Sequence, residues 1–249
     1  MYNLFTVLNS AYMPFGKIWI NSLYKNVNLE QINKIFILDT GLKQDELGFL
    51  KTFDKVEIVV SDLAEERTSN ASTRESIWLQ HVLRKTKYFR KVLKNSSEDT
   101  PLIMVDSDCC FLGDFFHLLD KETDVLVCNR SYKEEDNWIA SFFVANNSNN
   151  GKLFMDAWIR RMRQLMKEKP ERGWFESHSL NLIINELKHQ NSDIKISDVY
   201  TKNIACEELT MFDKNTKIIH LKGTSNKTNF QERINRFKQF VDINEYLKE

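Results

Sequence analysis

The sequence predicts an α/β fold in which helices flank a mostly parallel central sheet. Short apolar runs of strand length alternate with segments of helical periodicity from the first residues onward. The 42% hydrophobic and 28% charged content is typical of a globular protein. The 249 residues include only three prolines and seven glycines, and no stretch rich in either divides the chain. We therefore expect a single domain over residues 1–249.

In the first half of the chain, strands and helices alternate in a regular order. An apolar strand is predicted at Leu4–Leu8, and a helical pattern follows it at Gly16–Tyr24. A second strand, Ile35–Leu38, ends at the turn residues Asp39-Thr-Gly. The remaining predicted elements are a short helix at Asp45–Thr52, a strand at Val56–Val60, a long helix with one apolar side at Ser72–Tyr88, and a fully apolar strand at Leu102–Val105.

The second half continues the sheet and ends in helices. Apolar runs at Val125–Cys128 and Phe142–Val144 predict two more strands. Gly151–Lys169 has an apolar stripe opposite a basic side, which predicts an amphipathic helix. The last predicted elements are a helix at Ser179–Leu187, a short extended piece at Lys195–Ser197, a strand at Ile218–His220 and a C-terminal helix at Phe230–Phe240.

Charge and cysteine content narrow the function classes and the compartment. Lys+Arg and Asp+Glu are balanced at 35 each, so no overall field favours nucleic acid. The four cysteines show neither zinc nor redox spacing, and we expect them to act as small core residues in a reducing cytosol. The first residues resemble neither a signal peptide nor a membrane span. The C-terminal helix, which is both aromatic and basic, either packs onto the domain or touches the inner membrane face.

Two carboxylates, Asp106 and Asp108, directly follow the apolar strand Leu102–Val105. In open α/β sheets, ligands bind beyond the carboxyl ends of such strands. Carboxylate oxygens are the ligands that Mg²⁺ and Mn²⁺ prefer, with phosphate oxygens completing the coordination shell. Two solvated loop acids, one of them capping the next helix, are the alternative interpretation of the same pair.

Four motifs, in order along the chain, resemble those of one enzyme family. They are Val7-Leu-Asn-Ser-Ala-Tyr12 with Gly16, Ile37-Leu-Asp-Thr-Gly-Leu42, Met104-Val-Asp-Ser-Asp-Cys-Cys-Phe111, and His220-Leu-Lys-Gly223 with Lys227. This order is similar to that of the GT-A nucleotide-sugar glycosyltransferases. The closest likeness is to the retaining family that contains glycogenin and the bacterial lipopolysaccharide galactosyl- and glucosyltransferases. The chain departs from the family pattern at Ser10, where the family has an acid, and in the segment Glu176-Ser-His-Ser-Leu-Asn181.

The resemblance implies a GT-A (Rossmann-like) fold with a divided site. Residues 1–110 would be the nucleotide-sugar half, and residues 111–249 the acceptor half with the C-terminal helix. Mn²⁺ or Mg²⁺ would be held by Asp106, Asp108 and His220. The donor would be bound by Asn9, Ser10, Tyr12, Asp39, Arg74, Asp106, Gly223 and Lys227, and the residues near the reacting sugar would be Ser141, Glu176 and His178.

Several of these residues also have a purely structural interpretation. Tyr12 is equally suited to core packing, Asp39 to capping its turn, and Arg74 to a surface ion pair. His220 could be an ordinary strand-end histidine. Glu176 could simply cap the helix that follows it.

The implied function is metal-dependent transfer of a hexose from a nucleotide-diphosphate sugar, with UDP as the expected nucleotide. The acceptor would be a hydroxyl of a glycan, a lipid-linked sugar or a protein, in the cytoplasm of a bacterium or peripherally at its inner membrane face. Three alternatives stay open: an inverting enzyme with Glu176 or His178 as general base, a sugar nucleotidyltransferase, and a catalytically silent carbohydrate- or partner-binding module. The nucleotidyltransferase is disfavoured because the first turn lacks a basic, Gly-rich loop.

Overall fold

The computed structural model describes residues 1–61, 76–130, 132–133, 137–168, 175–222 and 229–247. These residues contain nine strands and six α-helices. The strands are β1 (Tyr2–Leu8), β2 (Ile32–Asp39), β3 (Val56–Val60), β4 (Leu102–Val105), β5 (Cys109–Phe111), β6 (Val125–Asn129), β7 (Trp138–Ala145), β8 (Ile196–Tyr200) and β9 (Ile218–His220). The helices are α1 (Met13–Asn26), α2 (Gln44–Leu50), α3 (Ser76–Asn95), α4 (Asn149–Glu168), α5 (Phe175–His189) and α6 (Phe230–Phe237).

A mostly parallel seven-stranded sheet, flanked by helices, forms the centre of the fold, as predicted. Its strand order is β3-β2-β1-β4-β7-β6-β8. β2 runs parallel to β3, with Ile35 opposite Val56, and β6 runs parallel to β8, with Val125 opposite Ile196. β7 lies antiparallel to β6. The α/β class predicted from alternating strands and helices is confirmed.

The structure corrects several predicted boundaries and adds one strand. The sequence analysis did not predict β5, which pairs antiparallel with β9 to form a separate two-stranded ribbon. Helix α1 begins three residues before the predicted Gly16, because Pro14 lies in its first turn, where a missing N–H costs no hydrogen bond. Helix α3 continues to Asn95, beyond the predicted end at Tyr88, since Val92 and Leu93 extend its buried side. The predicted start of that helix at Ser72 lies outside the described residues.

Contacts within the chain divide it into two compact units. The first unit takes its residues from 1–3, 71–104 and 118–200, and the second from 4–70, 105–117 and 201–249. In the first unit, the buried Phe143 ring packs against Phe89, Phe154 and Trp158. The expectation of one domain over residues 1–249 stays a prediction.

The core of the second unit accounts for the C-terminal helix. Ile234 and Phe237 of α6 are buried in a cluster with Phe15, Ile18 and Ile219. The apolar side of α6 is therefore used for packing, which is the first of the two roles considered for this helix. The helix ends at Phe237, before the predicted Phe240.

All four cysteines are free and buried, as expected for small core residues. Among the described residues, no helix is both long enough and apolar enough to cross a membrane.

Candidate functional site

The two acids of the site lie in a tight turn after β4. The four residues of β4 are fully buried, and the chain turns immediately, with the Cys109 N–H donating to the Asp106 carbonyl at 3.1 Å. Cys109 then begins β5. The apolar strand thus leads directly to Asp106 and Asp108, as the sequence pattern predicts.

The ribbon of β5 and β9 brings His220 to these acids. Cys109 lies opposite His220 in the antiparallel register, and the Leu221 N–H donates to the Asp108 carbonyl at 2.8 Å. On the other side of β9, the His220 N–H donates to the Cys206 carbonyl at 2.9 Å. The backbone is therefore fixed on both sides of the histidine.

The ligand-type atoms of Asp106, Asp108 and His220 all lie within 4.8 Å of one another. His220 Nε2 is 3.2 Å from Asp108 Oδ1, and the histidine is only 8% exposed. Both aspartates are partly buried. The structure thus brings together the three residues assigned to a metal, although 114 positions of sequence separate Asp106 from His220.

A cation from α6 also faces Asp108. Arg233 Nη1 donates to Asp108 Oδ2 at 3.1 Å, while its guanidinium carbon lies 5.3 Å from the centre of the Phe15 ring. Burial alone would raise the pKa of the Asp108 carboxyl, but His220 first and Arg233 second outweigh it and lower that pKa to about 2. The sequence analysis did not identify Arg233, because its distance to Asp108 depends on where α6 packs.

A second carboxylate lies behind the histidine. Glu207 is 5% exposed, and its Oε2 is 4.0 Å from His220 Nδ1 and 2.7 Å from Lys222 Nζ. Burial lowers the pKa of His220, but the Asp108 carboxylate outweighs burial and raises it. His220 Nδ1 is buried without a hydrogen-bond partner among the described residues. Glu207 is the nearby acceptor for this nitrogen, and no sequence signal pointed to it.

This set of side chains fits a divalent cation. Two carboxylates and an imidazole are typical donors for Mn²⁺ and acceptable ones for Mg²⁺. An ion coordinated at about 2.1 Å joins donors up to about 4.2 Å apart, so a small side-chain rotation would bring these three within range. Glu207 lies 4.0 Å from His220 Nδ1, and a small rotation would let it accept the hydrogen bond by which a carboxylate orients a metal-binding histidine.

Two loops of the second unit carry the residues predicted to contact the nucleotide. Asn9 caps the turn after β1, because its Oδ1 accepts from the Tyr12 N–H at 2.9 Å. Asp39 Oδ1 accepts from the Gly41 and Leu42 N–H groups, each at 2.8 Å. The turn-capping interpretation of Asp39 is therefore correct for one carboxylate oxygen, while the other makes no hydrogen bond among the described residues.

Ser10, which replaces the family acid, links these two loops. Its N–H donates to the Gly41 carbonyl at 3.1 Å, and its Oγ is within hydrogen-bond distance of both that carbonyl and the Glu46 carboxylate. Glu46 also accepts from the Lys43 N–H at 2.7 Å and so caps the start of α2. Where the family has an acid, this chain has Ser10 with the Glu46 carboxylate beside it, and that carboxylate comes from a different segment of the chain.

The residues predicted near the reacting sugar belong to the first unit. Ser141, in the fully buried strand β7, has an Oγ with no hydrogen-bond partner among the described residues. Glu176 lies in the first turn of α5 and forms an ion pair with Lys85, whose Nζ is 2.8 Å from Oε1; both side chains are at most 13% exposed. His178 is partly buried in the same helix. Nearby, Asn181 binds both backbone groups of Trp138 and so fixes the start of β7 to α5.

Three predicted donor-binding residues, Arg74, Gly223 and Lys227, lie outside the described residues.

Comparison with known proteins shows a family and a shared fold. No curated protein matches the chain. A solved structure, that of the glycosyltransferase GlyE from Streptococcus pneumoniae TIGR4, superposes with a TM-score of 0.60 at 14% identity. The match covers 99% of this chain but 62% of GlyE, and at this identity it shows a shared fold. The family model of nucleotide-diphospho-sugar transferases matches residues 54–230, a span that includes Asp106, Asp108 and His220, and the chain therefore belongs to that family.

Proposed function

We propose that the protein is a metal-dependent glycosyltransferase that moves a hexose from a UDP-sugar to a hydroxyl acceptor. The observation that carries this proposal is the convergence of Asp106, Asp108 and His220 within 4.8 Å, in a member of the nucleotide-diphospho-sugar transferase family. Two carboxylates this close to one another repel, and a bound cation would relieve that repulsion. A divalent cation held by these donors would supply positive charge to the diphosphate leaving group.

On the nucleotide side, the proposal assigns roles to the two loops after β1 and β2. The Asn9 amide and the Tyr12 ring would contact the base, and the carboxylate oxygen of Asp39 that is not used in its turn would accept from the ribose or base. Ser10 would hold the two loops together through Gly41, which supports these contacts without itself touching the donor. Asp106 would serve both the metal and the ribose.

Basic residues near the acids would balance the charge of the diphosphate. Lys222 follows the β9 strand, and Lys227 comes five residues later. Lys222 is held by Glu207 in this structure, so Lys227 and Arg74 are the better candidates for direct phosphate contact. Gly223, with no side chain, would let the backbone approach the phosphates closely.

The proposal includes retention of anomeric configuration at the transferred sugar. Glu176 forms an ion pair with Lys85 through both carboxylate oxygens, at 2.8 and 3.0 Å, and a carboxylate engaged in this way is poorly placed to take a proton from an acceptor. Glu176 and His178 would then orient the sugar and the acceptor, and the buried Ser141 would lie under the donor sugar. In the inverting alternative, Glu176 or His178 acts as the general base. The anomeric ¹H NMR signal of the first-formed product distinguishes the two outcomes.

Release of UDP from a panel of UDP-hexoses, with Mn²⁺ or with EDTA, tests the proposal. Donor hydrolysis occurs without the acceptor, so the acceptor need not be known. We expect Mn²⁺-dependent release with at least one donor, and a loss of about 100-fold or more in Asp108→Asn and His220→Gln. The matched control is Asp99→Asn, an exposed acid in the first unit.

Release that continues in EDTA, or that survives both ligand substitutions, would contradict the metal-dependent mechanism. Mn²⁺ and UDP binding without any turnover of the panel would instead favour the catalytically silent module. The acceptor proposed here is a glycan hydroxyl. Since the apolar side of α6 is buried, contact with a membrane is not part of the proposal.

A further inference from the structure

A basic groove runs between α3 and α4 within the first unit, and its residues have no part in the proposed transfer. The cavity has a volume of about 580 Å³. Volumes of this order accommodate small ligands and short polymer segments. Its lining consists of six basic residues, one acid and two aliphatic residues: Lys87, Arg90, Lys91, Lys94, Arg160, Arg163, Asp156, Leu153 and Ile159.

Most of the positive charge in this groove has no carboxylate partner in the part of the chain that the structure describes. Arg90 is paired, because its Nε and Nη2 contact Asp156 at 3.1 and 3.0 Å. The other five cations form no ion pair with any carboxylate of the described residues. The chain as a whole has equal numbers of acidic and basic residues, so this local excess is not a consequence of composition.

The cations are close enough to affect one another. Burial, followed by the neighbouring charges of Arg163 and Arg84, lowers the pKa of Lys87. Arg163 belongs to α4 and Lys87 to α3, so like charges approach each other across the groove. An anion bound between the helices would relieve this repulsion, which gives the groove an electrostatic preference for such a ligand.

The arrangement of these residues indicates an extended ligand. Lys87, Lys91 and Lys94 recur at helical spacing along one side of α3 and span about 10 Å. Leu153 and Ile159 add apolar surface on α4, and Leu153 is 58% exposed. A ligand that follows the groove would therefore meet positive charge from both helices and apolar surface from α4.

These features favour a sugar chain over the other common polyanions. Proteins that bind single-stranded nucleic acid offer aromatic rings for base stacking, and no aromatic residue lines this groove among the described residues. A membrane-surface helix presents a broad apolar face, whereas this groove has only two aliphatic residues among six basic ones. The apolar face of a pyranose ring suits the exposed Leu153, and acidic substituents suit the basic residues.

We propose that the groove between α3 and α4 binds a linear acidic glycan, whose carboxylate, sulfate or phosphate groups contact lysines and arginines of both helices. This site is independent of the proposed transfer reaction. Binding by the full chain can be measured as the fluorescence anisotropy of a fluorescein-labelled heparin octasaccharide in 50 mM NaCl. We expect the affinity to fall by about 100-fold between 50 and 200 mM NaCl, as for a ligand neutralised by about five cations.

Two variants remove charge from opposite sides of the groove, so the test does not depend on one of them folding. Lys87→Gln/Lys91→Gln/Lys94→Gln changes α3, and Arg160→Gln/Arg163→Gln changes α4; each should weaken binding by about tenfold or more. The control, Lys51→Gln/Lys202→Gln/Lys214→Gln, removes three charges from exposed lysines of the second unit and should stay within about twofold. Thermal unfolding checks that each variant is folded.

Three results would overturn the proposal. The first is no binding of the octasaccharide in 50 mM NaCl. The second is equal weakening by the control and the groove variants, which would mean non-specific attraction. The third is tighter binding of a 20-nucleotide single-stranded DNA, or of phosphatidylglycerol vesicles, that is lost in the groove variants. UDP release from the sugar donors should be unchanged in these variants, so the outcome is separate from that of the proposed function.

Discussion

Asp108 contacts both Arg233 and His220 even without a metal, so its replacement should affect stability as well as binding. In Asp108→Asn the side chain keeps its shape but loses its charge. Arg233, 3.1 Å away and 17% exposed, would then be mostly buried without a counter-ion, and His220 would lose its 3.2 Å partner. A partly buried cation that loses its partner is destabilising.

The pKa of Asp108 gives the size of the effect. Lowering the carboxyl pKa from 3.8 to about 2 corresponds to about 2 kcal/mol of extra stability for the charged form in the folded state. Because the folded-state pKa is the lower one, this contribution is fully present at pH 7 and is lost as the pH falls from about 4 to about 2. Asp108→Asn should therefore lower the free energy of unfolding at pH 7 by about 2 kcal/mol.

Urea unfolding, followed by circular dichroism at pH 7 without metal, measures this change. The double variant Asp108→Asn/Arg233→Gln removes both charges, so it should be more stable than the sum of the single changes predicts, by about 1 kcal/mol. Adding Mn²⁺ should raise the Tm of the native chain but not that of Asp108→Asn. If Asp108→Asn is as stable as the native chain, or the two substitutions are additive, the ion pair does not have the energetic role assigned to it.

Two further predictions concern metal binding by His220 and the close packing of Gly151 against the Asn146 backbone. Glu207→Gln should weaken Mn²⁺ binding by about 10- to 100-fold in calorimetric titration, because the carboxylate near His220 Nδ1 no longer favours the metal-binding tautomer; unchanged affinity would disprove that orienting role. Gly151→Ala should lower the free energy of unfolding by about 2–4 kcal/mol, since a Cβ there would collide with the Asn146 carbonyl oxygen. The same change at Gly48, a helix position with nothing within 4 Å of its Cβ, should be stabilising by about 0.5–1 kcal/mol, and equal effects at the two glycines would contradict the steric explanation.

Local sequence patterns were sufficient to predict a strand or helix wherever its structure is caused by residues close together in the chain. The run Leu102–Val105 predicts a buried strand because burying four consecutive apolar side chains is favourable. The observed strand has those bounds. β9 was predicted with the correct bounds but β5 was missed, although both strands are three residues long. Cys109–Phe111 is a strand because it pairs with β9, a contact between distant parts of the chain that the local pattern does not contain. The end of α3 was placed too early, since a helix continues for as long as its buried side finds partners.

The residues of the candidate site also fall into those that the sequence predicted and those that it did not. Asp106 and Asp108 were predicted from their position after a buried strand, and the family motifs added His220 and Asp39. Glu207, Arg233 and Glu46 belong to no motif and carry no signal in the sequence beyond their charge. They gain their roles only because Glu207 lies behind His220, α6 packs against Phe15, and Glu46 caps α2 next to Ser10.

By itself, the sequence determined the alternation of strands and helices, the buried strand that leads to two acids, and the order of motifs along the chain. These depend on neighbours within a few residues, where side-chain periodicity and turn chemistry act directly. Only the tertiary structure decided that Arg233 faces Asp108, which carboxylate lies behind His220, and that lysines and arginines of α3 and α4 line one groove. Such contacts join residues far apart in the chain, and their electrostatic energy depends on distance and burial, which the order of residues does not specify.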